Sequence, residues 1–156
     1  MAVSVKRITL WRADVENRPG VLASALEPLA GAGADLRLVM GYRFPNAPEH
    51  SAIELYPVSG KKATAAAASA GLHEAAHIPC LLVEGDNRPG LGAAIARGLA
   101  DAKVNIAFLM AQVIGRKFSA AIGFDDAEGA GRAVGIVKAA ARSGRGGGAR
   151  RRSRAR

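Results

Sequence analysis

The chain has 156 residues, enough for one ordinary domain or two very small ones that share a core. Its 49% hydrophobic content separates it from disordered chains, and with only 4% aromatics the core must be built from Ala, Val, Ile and Leu. Without the arginines at 142, 145, 150, 151, 152, 154 and 156, the net charge of +9 falls to about +2 (15 basic against 13 acidic residues), which argues against a basic face on the folded part.

In chain order, Met1 to Arg7 carry no apolar h-region, so no secretory signal is expected. An apolar strand over about 5–13 leads into Asn17-Arg18-Pro19-Gly20. A helix follows, with Leu22, Leu26, Leu29 and Gly33 at helical spacing, Asn17 placed to cap it and Pro28 expected to kink it. Leu36, Leu38, Met40 and Tyr42 alternate as one face of a strand. A Pro-rich turn from Phe44 to His50 precedes a returning strand, Ile53 to Tyr56, and an Ala-rich helix over about 60–70. A further strand is available around 73–79, and another covers 80–85.

Asn87-Arg88-Pro89-Gly90 then repeats the first loop at an offset of 70 residues, and the offset holds without a gap for twenty more. The second helix carries Leu91, Ile95, Leu99 and Ala102, with Asn87 placed as its cap. Ile106, Phe108 and Met110 are predicted to share one face of a strand, which turns tightly around Gly115. Phe118, Ala120, Ile122 and Phe124 line the next strand, and a helix over about 126–141 closes the copy with Asp125-Asp126 at its start. The Gly/Arg/Ser segment 142–156 is expected to be a disordered tail.

Each copy therefore reads β-α-β-β-α, the order of a split βαβ sandwich: an antiparallel sheet with both helices on one face. The second copy lacks an evident last strand. One long strand across 74–85 or a partner chain would complete it.

A strand, then (Asp/Asn)-x-Pro-Gly, then a helix with spaced leucines, then Asp35-Leu36 or Asn105-Ile106 opening a strand, resembles the ACT domain, here in two tandem copies over about 5–141. Leu26-Glu27-Pro28-Leu29-Ala30 is similar to the helix of ACT domains attached to prephenate dehydratases, although the longer aromatic-sensor motifs of those enzymes are missing. The resemblance implies an α+β fold of two ferredoxin-like βαββαβ units paired side by side, with domains at 1–72 and 73–141. It implies a non-catalytic regulatory protein that binds an amino acid at the ACT–ACT interface beside the loops. The ligand residues it implies are Asn17, Gly20, Val21 and Leu22 in the first copy and Asn87, Gly90, Leu91 and Gly92 in the second. It further implies a homodimer, with a metabolic enzyme as partner.

The same positions suit a ligand on physical grounds, since first-turn N–H groups and the helix dipole favour a carboxylate. Asn17 and Asn87 also fit plain helix caps, and Arg18 and Arg88 plain solvated loop residues. Gly90-Leu91-Gly92 matches part of a dinucleotide fingerprint, but Ile95 stands where the last glycine belongs, so no nucleotide cofactor is expected. His50, His73 and His77 lack the company of a metal cluster, and Cys80 reads as an inert buried thiol in a reducing, cytoplasmic setting. No apolar run reaches the roughly 18 residues of a membrane span, so no membrane partner is expected. Two alternatives stay open: a transcriptional or nucleic-acid-linked regulator using the basic tail, and a regulatory subunit of an enzyme such as acetolactate synthase.

Overall fold

The computed structural model describes residues 3–143. The described residues form two compact units, Ile8–His77 and a second that joins those up to Arg7 with those from Ile78.

The first unit runs β2 (Trp11–Glu16), α1 (Val21–Gly31), β3 (Leu38–Phe44), β4 (Ala47–Tyr56), α2 (Lys61–Ser69) and β5 (His73–Glu74). It is preceded in the chain by β1 (Ser4–Ile8). The second runs β6 (Cys80–Asp86), α3 (Leu91–Asp101), β7 (Ile106–Ile114), β8 (Lys117–Phe124) and α4 (Ala127–Ser143). The sheet orders are β3-β4-β2-β5 and β7-β8-β6-β1. Both are the α+β ferredoxin-like order, with β1 in the place that β5 holds in the first sheet.

The single strand expected over 5–13 is thus two strands serving different sheets. β2 pairs antiparallel with β4, from Trp11 opposite Leu55 to Glu16 opposite His50, whereas β1 neighbours β6. The missing strand of the second copy comes from the chain's own N-terminus, not from a shared strand or a partner. Contact there is close: a Cβ on Gly85 of β6 would lie 3.2 Å from the Val3 Cα.

In each unit the two helices cover one face of the sheet. Leu91, Ile95 and Leu99 of α3 and Ala130, Ala133 and Val137 of α4 meet Leu81, Val83, Phe118, Ile122 and Phe124. In the first unit Ala25, Leu29 and Ala67 meet Trp11, Ala13, Ile53 and Leu55. Helix α1 continues through Pro28 to Gly31, where the proline costs the ladder one backbone bond. Asp126 caps α4 by accepting from the Gly129 N–H at 2.6 Å. That helix extends to Ser143, and the rest of the Arg-rich segment lies outside the described residues. Among the described residues no helix is long and apolar enough to cross a membrane.

Candidate functional site

Both Asn-Arg-Pro-Gly loops end on a glycine in the left-handed region, Gly20 at φ +92° and Gly90 at φ +83°. Any L side chain would strain the backbone there, so these positions need glycine. The glycines occupy the N-cap positions, and neither helix has a side-chain cap bond. This corrects the expectation that Asn17 and Asn87 cap their helices, because each stands three residues ahead of the cap. Their backbone N–H groups instead tie the loop to the facing hairpin, Asn17 to the Glu49 carbonyl and Asn87 to the Arg116 carbonyl, both at 2.8 Å.

The first bonds inside the helices run from Ser24 N–H to the Gly20 carbonyl and from Ala94 N–H to the Gly90 carbonyl, each 2.9 Å. Earlier amides have no helical partner. The Leu91 amide turns back to the Arg88 carbonyl at 3.3 Å, and those of Gly92 and Ala93 belong to the first turn, whose N–H groups have no intrahelical partner.

Beside the second loop, α3 and β7 part around a cavity of about 320 Å³. Leu91, Gly92, Ile95 and Ala96 form its helical wall. Ile106, Leu109, Ala111, Gln112 and Val113 form the wall from β7, Phe118, Ala120 and Ile122 form the floor, and Asn87 stands at the loop. Of the residues implied for this copy, Asn87, Leu91 and Gly92 come together here, while Gly90 shapes the turn without joining the wall. Asn87 donates no side-chain hydrogen bond to any described residue. Arg88 is engaged elsewhere: its guanidinium donates to the Ala140 carbonyl at 2.8 Å, near the end of α4. Next to Asn87, Asp86 accepts from the Lys117 ammonium, which holds its carboxyl down at about 2.

Sequence alternation assigned Ile106, Phe108 and Met110 to one face of β7. The structure corrects this with a bulge: Ile106 stands opposite Phe124 and Phe108 opposite Gly123, so Ala107 is an extra residue. After it the odd positions Leu109, Ala111 and Val113 turn toward the helices and line the cavity. Only knowledge of the bulge would have singled them out.

The first copy builds the loop alike but furnishes it differently. The Asn17 side-chain amide donates to the Pro48 carbonyl at 2.8 Å, so it is bound within the hairpin. Arg18 pairs with Glu16 at 3.1 Å in solvent. Gly20 and Val21 form the turn and first helical residue, and Leu22, 43% exposed, stands at the 70-residue offset from Gly92.

Sequence reading missed a polar cluster in the first unit. Arg12 of β2 stands directly opposite Glu54 of β4. Its guanidinium donates to the Glu54 carboxylate at 2.9 Å, to Asp14 at 2.8 Å and to the Tyr42 hydroxyl at 3.1 Å. Tyr42 in turn donates to Glu54 at 3.3 Å. Burial and the Glu54 charge raise the Tyr42 pKa. For Arg12, burial opposes the charge, but the bond to Asp14 and the neighbouring groups outweigh it and the pKa is raised. The available signal was one charge in the middle of each apolar run, Leu10-Trp11-Arg12-Ala13 and Ile53-Glu54-Leu55.

Solved structures share this architecture. A protein from Bacteroides thetaiotaomicron is 14% identical, with 86% of this chain and 89% of that one covered at a TM-score of 0.71. The ligand-free regulatory subunit of aspartate kinase from Thermus thermophilus is 18% identical, with 90% and 97% covered at a TM-score of 0.61. The fold is that of tandem ACT domains. The regulatory subunit of aspartate kinase from Thermus flavus is 19% identical, with 90% of this chain and 97% of that one covered at a TM-score of 0.55. No family model matches the sequence, and no curated protein matches it.

Proposed function

We propose that this chain is a non-catalytic regulatory protein whose second ACT unit binds an amino acid in the cavity between α3 and β7. The observation that carries the reading is the position of that cavity. It opens beside Leu91 and Gly92, in the first turn of α3, and beside Asn87. Amides at a helix start suit a carboxylate, and the Asn87 oxygen suits an ammonium. The aspartate kinase regulatory subunits among the structural neighbours support a regulatory role exerted on an enzyme of amino-acid metabolism.

Two chains pair along β7 in this reading. It is an edge strand, and Leu109, Val113 and Ile114 are 58%, 54% and 70% exposed on it. Because the cavity borders that edge, effector binding and pairing are coupled, and the coupling is reciprocal.

The test is a thermal-shift screen of the full chain against the twenty amino acids, repeated on Asn87→Ala and Asn17→Ala. A ligand at 100 times its Kd adds about 2.7 kcal/mol, which for a chain of this size raises Tm by roughly 5–10 °C. The shift is expected to vanish in Asn87→Ala and persist in Asn17→Ala. No shift with any amino acid, or one lost only in Asn17→Ala, refutes the proposal.

A further inference from the structure

We infer that the effector is an amino acid with a bulky, uncharged apolar side chain, of the leucine, isoleucine, valine or methionine kind; this rests on the amino-acid reading above. Among the described residues, the cavity wall contains no ionisable side chain, and its only polar side chains are the carboxamides of Asn87 and Gln112. Leu91, Ile95, Phe118 and Ile122 are buried beneath it. Asn87 and the helix-start amides are matched to the groups every amino acid shares, so the side chain is left to the apolar wall. A charged side chain there would lose water without meeting a counter-ion, whereas an apolar one gains by burial.

Size agrees with the chemistry. A cavity of about 320 Å³ lies at the lower end for small-molecule sites, which suits a single amino acid. Gly92 lines the cavity, and a Cβ built on it meets nothing within 4 Å, so the helical wall is open at that position. The first copy has lost the same wall. At the 70-residue offset it carries Leu22 for Gly92 and Arg43 for Val113. By strand register, Ser51 follows His50 as Phe118 follows Lys117, so a small hydroxyl replaces the aromatic floor.

The experiment is calorimetric titration of the full chain with L-leucine, L-isoleucine, L-valine, L-methionine, L-lysine, L-aspartate and L-threonine. It is repeated on Gly92→Leu, Gly92→Ala and Asn87→Ala. Gly92 is helical without a positive φ and its Cβ direction is open, so both replacements keep the fold, which circular dichroism checks. The apolar ligands are expected to bind about tenfold or more tighter than the charged ones. Gly92→Leu is expected to weaken L-leucine by more than about tenfold, and Gly92→Ala by less. Lysine, aspartate or threonine binding as tightly as leucine, with the binding lost in Asn87→Ala, overturns the apolar inference and leaves the amino-acid reading standing. Unchanged leucine binding in Gly92→Leu overturns it too. If no amino acid binds and Gly92→Leu instead alters sedimentation, the groove is a contact between two copies and both readings fall.

Discussion

Removing Arg12 alone should be far more damaging than removing Arg12 and Glu54 together. Arg12 is 14% exposed and Glu54 only 1%, at a separation of 2.9 Å. Arg12→Met deletes the cation and leaves the Glu54 carboxylate buried, with the Tyr42 hydroxyl at 3.3 Å as its remaining described donor. Stranding a buried charge in this way costs about 3–5 kcal/mol, which for a chain of this length lowers Tm by roughly 6–20 °C. Adding Glu54→Leu removes the stranded charge and restores most of the loss, because an apolar pair of similar volume is often neutral or better. Urea unfolding followed by Trp11 fluorescence reads this directly, since the chain's one tryptophan is 9% exposed in the core of the same unit. The midpoint should fall in the single variant and recover in the double at unchanged m. A loss under about 1 kcal/mol for Arg12→Met, or a double variant worse than either single one, refutes the reasoning.

Two other outcomes follow from close contacts. A Cβ on Gly98 would lie 2.8 Å from the Ile136 Cγ2, so Gly98→Val should cost about 1–3 kcal/mol by forcing α3 from α4, and Ile136→Ala should return part of it in a melting measurement. The Asp86 carboxyl, held at about 2 against an ordinary 3.8 by Lys117, stabilises the folded chain fully above the ordinary value. That contribution is lost as pH falls from there toward about 2. Carboxyl NMR titration should place its midpoint near 2 and move it upward in Lys117→Ala; an ordinary midpoint in the parent chain would count against the ion pair.

The helices and the duplication were legible because they depend on local spacing. Leu91, Ile95 and Leu99 recur at the period of a helix, and two identical tetrapeptides set the repeat. What escaped was decided by partners distant in sequence. Thr9 and Leu10, between β1 and β2, include no glycine or proline, so nothing local divides the strands. The bulge at Ala107 reverses which half of β7 faces the helices, and an alanine does not announce it. Asn17 and Asn87 looked like caps because asparagine favours caps, yet the left-handed glycines three residues later take that role. At the site, the repeated loop pointed to Asn87, Leu91 and Gly92, while the wall from β7 depended on the bulge. The Arg12–Glu54 pair needed the β2–β4 register, which strand pattern alone does not set.

The placement of β1 gives the chain a nested connectivity, with the whole first copy inserted between one strand and the rest of the unit to which that strand belongs. During synthesis β1 emerges first but must wait for β6, while the intervening copy has every one of its own strands in hand. The second unit therefore has the higher contact order and is expected to close later and more slowly. The same wiring means that cleavage between His77 and Ile78 would not release two equal halves. One fragment would carry an unpaired strand and the other a three-stranded sheet with β6 exposed as a new edge.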